Sequence, residues 1–128
     1  MLLQLTGAAQ QLTVIVTNIK NDKGKIGAAL YNSKESFMKN PFMTQGTASK
    51  KGEVTLVFGQ VPKGEYALSI LHDENNNAKM DSNVVGIPKE GFGFSNNAMG
   101  IAGPPGWDKS KFEVTGVDQT VTIRLKHM

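Results

Sequence analysis

Short apolar runs with a period of two, separated by turn residues, constrain this chain more than any other feature. Leu12, Val14 and Val16 alternate with Thr13 and Thr17, and Ile26, Ala28 and Leu30 form a second one-sided row. Val54, Leu56 and Phe58 make a third, and Tyr66, Leu68, Ile70 and His72 share one parity of a fourth. Phe112 with Val114, then Val121 with Ile123 and Leu125, close the chain. A period of two places alternate side chains on opposite faces, the signature of a half-buried strand. With short spacings between runs, antiparallel hairpins suffice. The predicted fold is all-β: a single antiparallel β-sandwich of about seven strands, with one short helix and a long glycine-rich loop.

The turns refine this reading. Asn21-Asp22-Lys23-Gly24 supplies residues that tolerate turn geometry, so residues 12–31 read as a hairpin. Ser33 is placed to cap a short helix holding Glu35, Phe37 and Met38, which Asn40-Pro41 ends. Residues 42–49 form a marginal strand at best. Residues 86–106 run without a period, and loops of that length are commonly functional. Residues 1–11 read as a residual signal or disordered N-terminus, because a short apolar run precedes small residues. Residues 12–128 read as one domain.

Composition excludes several functions. Fourteen glycines fit a turn-rich β-protein. The net charge is +3, but the lysines are scattered and Arg124 is the one arginine, so no nucleic-acid surface is expected. With no cysteine, disulfides and thiolate chemistry are excluded. No run reaches the roughly 18 apolar residues of a membrane span.

Oxygen-bearing side chains recur at alternate positions in Asp73, Asn75, Asn77 and Asp81. Such spacing can fold oxygens around calcium, with a backbone carbonyl near Lys79 adding another ligand. Ala78 stands where a tight calcium loop needs glycine, and Val84 stands where a bidentate glutamate would close it. Any calcium site is therefore of low affinity. The alternative is a metal-free turn, since Asn and Asp bond to their own backbone. His72 reads as a packed histidine on a loop carbonyl; the rival is a hydrolase-like or isomerase-like enzyme using His72 with Asp73 or Glu90. Phe92, Phe94, Asn96, Asn97 and Trp107 either anchor the long loop or form a platform for a sugar or peptide. Gly91-Phe92-Gly93 is too short for a phosphate loop.

The turn Val61-Pro62-Lys63-Gly64-Glu65-Tyr66, the run His72-Asp73-Glu74-Asn75-Asn76-Asn77 and the segment from Gly86-Ile87-Pro88 to Ser95-Asn96-Asn97 resemble the small bacterial proteins grouped as domain of unknown function 2141. The resemblance covers residues 12–125. It implies an immunoglobulin-like or prealbumin-like sandwich, periplasmic or secreted, with no established activity; that family carries glycine where Ala78 stands here. The expected function is a non-enzymatic binding or structural module. Its expected partner is an envelope ligand or protein, and its expected state is a monomer.

Overall fold

The computed structural model describes residues 9–74, 91–100 and 105–127. Among these residues eight strands form two sheets. The three-stranded sheet has the order β4 (Gly52–Pro62), β1 (Ala9–Ile19), β8 (Gln119–Arg124). The five-stranded sheet runs β3 (Met43–Ala48), β2 (Lys25–Tyr31), β5 (Gly64–Asp73), β6 (Phe92–Phe94), with β7 (Phe112–Val114) paired to the start of β5. The alternation read from sequence decides what lies between the sheets. Leu12, Val14 and Val16 meet Leu56 and Phe58 from one sheet and Ile26, Leu30, Leu68 and Ile70 from the other, all in one buried cluster. The arrangement is sandwich-like. Ala9, Gln10 and Gln11, assigned from sequence to the N-terminal tail, are already part of β1.

Three expectations about pairing and helix need correction. First, β1 and β2 do not form a hairpin; they lie in opposite sheets. Asn18 adopts a left-handed φ of 63°, the β1–β4 register shifts between Val16 and Ile19, and the Asn18 amide donates to the Leu125 carbonyl at 3.0 Å. Asparagine tolerates that conformation, and the bulge re-aims the chain. The following turn is held by the connection after β3: Ser49 Oγ donates to the Asn21 carbonyl at 2.7 Å, and the Lys51 amide donates to Asp22 Oδ1 at 2.6 Å.

Second, the sheets are not purely antiparallel. β8 pairs with β1 in parallel, from Leu12 opposite Gln119 to Thr17 opposite Arg124. β7 pairs with β5, so the last two strands belong to different sheets, and Gly116 at φ 100° lies in the turn between them. Third, residues 34–39 form turns and no helix. The Ser33 cap exists, since Ser33 Oγ accepts the Ser36 amide at 3.1 Å. Met38, at φ 62°, prevents propagation. The one α-helical turn among the described residues is α1, Trp107–Ser110, inside the second half of the chain. Residues 42–49, read as marginal, do contain β3.

A second buried cluster covers part of the outer face of the five-stranded sheet: Tyr31, Phe37, Ala67, Phe92, Phe94 and Trp107. Phe37 stands edge-on to both Tyr31, at 5.4 Å between centroids, and Trp107, at 6.0 Å. Such pairs add about 0.5–1.5 kcal/mol beyond the area they bury.

Tyr66 closes the turn between β4 and β5. Its hydroxyl donates to the Pro62 carbonyl at 2.7 Å, and burial raises its phenol above the ordinary value of 10.0. Because the folded protein disfavours the phenolate, this stabilisation is present below pH 10 and is lost as pH rises through the elevated folded value. Tyr66→Phe is expected to cost about 1 kcal/mol at neutral pH and to remove this alkaline loss, as checked by urea titrations at neutral pH and above pH 10.

Candidate functional site

β5 delivers His72 and Asp73 to one end of the sandwich. His72 shares inward parity with Leu68 and Ile70 and is fully buried. Its Nε2 lies 2.7 Å from the Lys23 carbonyl, which can only accept, so the proton is assigned to Nε2. Nδ1 has no partner among the described residues. The His72 amide donates to the Gly91 carbonyl at 2.8 Å, so this strand end is tied to residue 91. A Cβ on Gly91 would come within 2.8 Å of the His127 ring and 3.4 Å of His72 Cβ, so a larger residue there would displace the His127 side chain.

Asp73 is buried on the opposite parity, across from Lys25. Gly24 packs directly on the Asp73 carbonyl; a Cβ there would lie within 2 Å of it. Glu74 Oε1 accepts the Asn21 amide at 3.2 Å. Asn75, Asn77, Asp81 and Glu90 lie outside the described residues, as do residues 86–90 and 101–104 of the glycine-rich loop. Among the described residues no three acidic or histidine side chains gather in a metal-binding group.

The other candidates sit together around the aromatic cluster, but inward. Phe92, Phe94 and Trp107 are all buried. The Asn96 amide donates to the Lys111 carbonyl at 2.8 Å and the Lys109 carbonyl at 3.2 Å, while Asn97 Oδ1 accepts the Arg124 amide at 3.0 Å. Both side chains therefore bind backbone. Gly93 lies so close to β8 that a Cβ would approach Ile123 to 2.7 Å. Trp107 lines a shallow hollow with Met99 and Lys34, and Phe94 and Asn97 line a separate one with Arg124.

Sequence reasoning missed Ser95. It is buried in the 3-10 turn Ser95–Asn97; its hydroxyl accepts the Leu68 amide at 2.9 Å and donates to the Ser110 carbonyl at 2.5 Å. One hydroxyl thus joins β5, this turn and α1. No local pattern marks it, because both partners are remote in the chain.

A groove was also missed. Cross-strand rows on the outer face of the five-stranded sheet run Gly46, Gly27, Leu71, Phe92 and Thr44, Ala29, Ser69, Phe94. In the first row side chains grow from β3 towards β6, and in the second the small residues Ala29 and Ser69 lie between Thr44 and Phe94. The small end leaves a trough of about 630 Å3, lined also by Lys25, Tyr31, Met38 and Asp73. The signal was present in β2, whose outward positions Gly27 and Ala29 are small, but the trough depends on which strands flank it.

Fold and site together define a two-sheet, sandwich-like β-protein with a groove across one sheet. The chain belongs to the family described as "Uncharacterized protein conserved in bacteria (DUF2141)", whose profile matches residues 14–122. No curated protein and no solved structure matches it.

Ser95→Ala should destabilise the fold by about 2–3 kcal/mol, since it strands two buried backbone groups. Ser110→Ala should cost under about 0.5 kcal/mol, because its buried hydroxyl has no partner. Chemical denaturation of the two variants checks the contrast.

Proposed function

We propose that the chain is a non-catalytic, exported binding module of the bacterial envelope, with a saccharide or peptide ligand lying in the groove. One observation carries this reading: small residues on three neighbouring strands hollow the outer face of the sheet. Water-facing sheet surfaces ordinarily carry polar side chains that fill such space. Here Gly27, Ala29, Gly46 and Ser69 leave room, Tyr31 offers a ring at one wall, and Lys25 and Asp73 supply charge. The buried layer of Phe92, Phe94 and Trp107 braces that wall through Phe37 and Tyr31. His72 serves the scaffold, as its ring is wholly buried and bonded to backbone, so no observation favours acid–base chemistry with Asp73 or Glu90.

The bond from Tyr66 to the carbonyl four residues upstream supports an immunoglobulin-like or prealbumin-like sandwich, because a tyrosine corner of this kind recurs in immunoglobulin-like folds. Export is supported by the signal-like composition of residues 1–8, ahead of β1. Asp73, at the groove's end, is the first oxygen ligand of the proposed calcium loop, with Asn75, Asn77 and Asp81 following in sequence. A dissociation constant of roughly 10⁻⁴–10⁻³ M fits the missing glycine and glutamate.

A thermal-shift screen with envelope saccharides and peptides tests the groove. Cβ of residue 27 would meet nothing within 4 Å, so Gly27→Leu should fold and fill the trough. A ligand is expected to raise the melting temperature of the wild type and not of Gly27→Leu; equal shifts, or none, would overturn the reading. Separately, several millimolar calcium should stabilise the wild type by about 1–2 kcal/mol and Asp73→Ala by much less. An unchanged wild-type melting curve would remove the ion.

A further inference from the structure

Every sheet edge presents unpaired backbone groups, and proteins guard such edges with bulges, charge, proline, short length or a covering element. The edges of this molecule can be compared one by one. β4 is bulged against β1 at two places and carries Glu53 and Pro62. β8 is capped by Asn97, which binds the Arg124 amide. β6 has three residues, and Phe92 is bridged on both its amide and carbonyl to Lys126. β7 also has three, and its Glu113 carbonyl accepts the Gln119 amide.

β3 has none of these. It is six residues long, contains no charge and no proline, and pairs with β2 from Met43 to Ala48 without a register shift. Thr44, Gln45, Gly46 and Ala48 are exposed, so among the described residues no strand pairs with its outer edge. Beside it stands Phe42, 43% exposed, with one side of its ring tilted against Tyr66 at 6.1 Å between centroids and the rest open at the end of this edge.

The geometry points to a second copy of this chain as the occupant: two β3 strands pair antiparallel across a two-fold axis perpendicular to the sheet, centred on Gln45. Antiparallel pairing sets residues of one face opposite each other, which this axis satisfies. Gln45 then faces Gln45, Thr44 faces Gly46, and the exposed Phe42 packs on Ala48 of the second copy. No like charges are opposed within the strand. Moving the centre to Gly46 would set Phe42 against Lys50 and lose the amide pair. The two five-stranded sheets become one of ten strands. Because Thr44, Gln45 and Gly46 also line the groove, each copy contributes to a trough running across the axis. The pairing departs from the monomer expected from sequence, and it stands on the edge itself, independently of any groove ligand.

The contact is small, so association belongs to the weak, transient class, with dissociation constants of roughly 10⁻⁴ M. Lys50 and Lys51 of both copies lie near the joint, so added salt should strengthen it. Sedimentation equilibrium up to millimolar chain is expected to show a monomer–dimer equilibrium. Gln45→Lys, which sets two lysines face to face, should weaken it at least tenfold, while Val57→Lys on the neighbouring sheet should leave it unchanged. Since the chain has no cysteine, Gln45→Cys gives a clean second readout: mild oxidation should link two chains, and Thr44→Cys should link far less. A chain monomeric throughout, or a dimer indifferent to Gln45→Lys, would overturn the proposal. Either result leaves the ligand test with Gly27→Leu standing on its own.

Discussion

The left-handed conformation at Asn18 governs much of this architecture. Had the chain continued from β1 through a tight turn, β2 would have paired beside it and the two apolar rows would have faced the same way from one sheet. Instead the bulge after Val16 and the bond from Asn18 to Leu125 send the chain across to the second sheet. Leu12, Val14 and Val16 then lie opposite Ile26, Ala28 and Leu30, and each row finds apolar cover. Burial of this kind, at about 25 cal/mol per Å2, is the main favourable term in folding.

That crossing also sets the surface. Once β2 sits between β3 and β5, its outward residues Gly27 and Ala29 become the middle of a sheet face, with Gly46 and Ser69 alongside. The same face is filled at its other end by Phe92 and Phe94, which Trp107 and Phe37 cover. The face is thus divided into a packed half and a hollow half. Ser95 holds the packed half in place by joining β5 to α1. It is a mechanical arrangement in which aromatic bulk on one side permits a rigid wall for the trough on the other.

Much of the strand content was legible in advance, because a period of two survives whichever partner a strand takes. The rows at residues 12–16, 26–30, 54–58 and 66–72 all lie within strands. The site was less legible. Phe92, Phe94 and Trp107 lie in one buried cluster, but large rings look alike in sequence whether they face solvent or pack together. The carboxamides of Asn96 and Asn97 likewise gave no sign that backbone groups at residues 109, 111 and 124 would engage them. The helix expected after Ser33 had a proper cap; Met38 in a left-handed conformation, set by its surroundings, stopped it.

Local chemistry by itself determined the strands, most of the turns and the inward parity of His72. Those properties depend on each residue and its near neighbours. Only the tertiary structure decided that the first and last strands run parallel, that consecutive strands part company between sheets, and that small residues from three strands meet in one trough. Backbone hydrogen bonds carry no side-chain identity, so an amphipathic strand can pair with many others. The choice among them is made by which apolar faces can be covered at once.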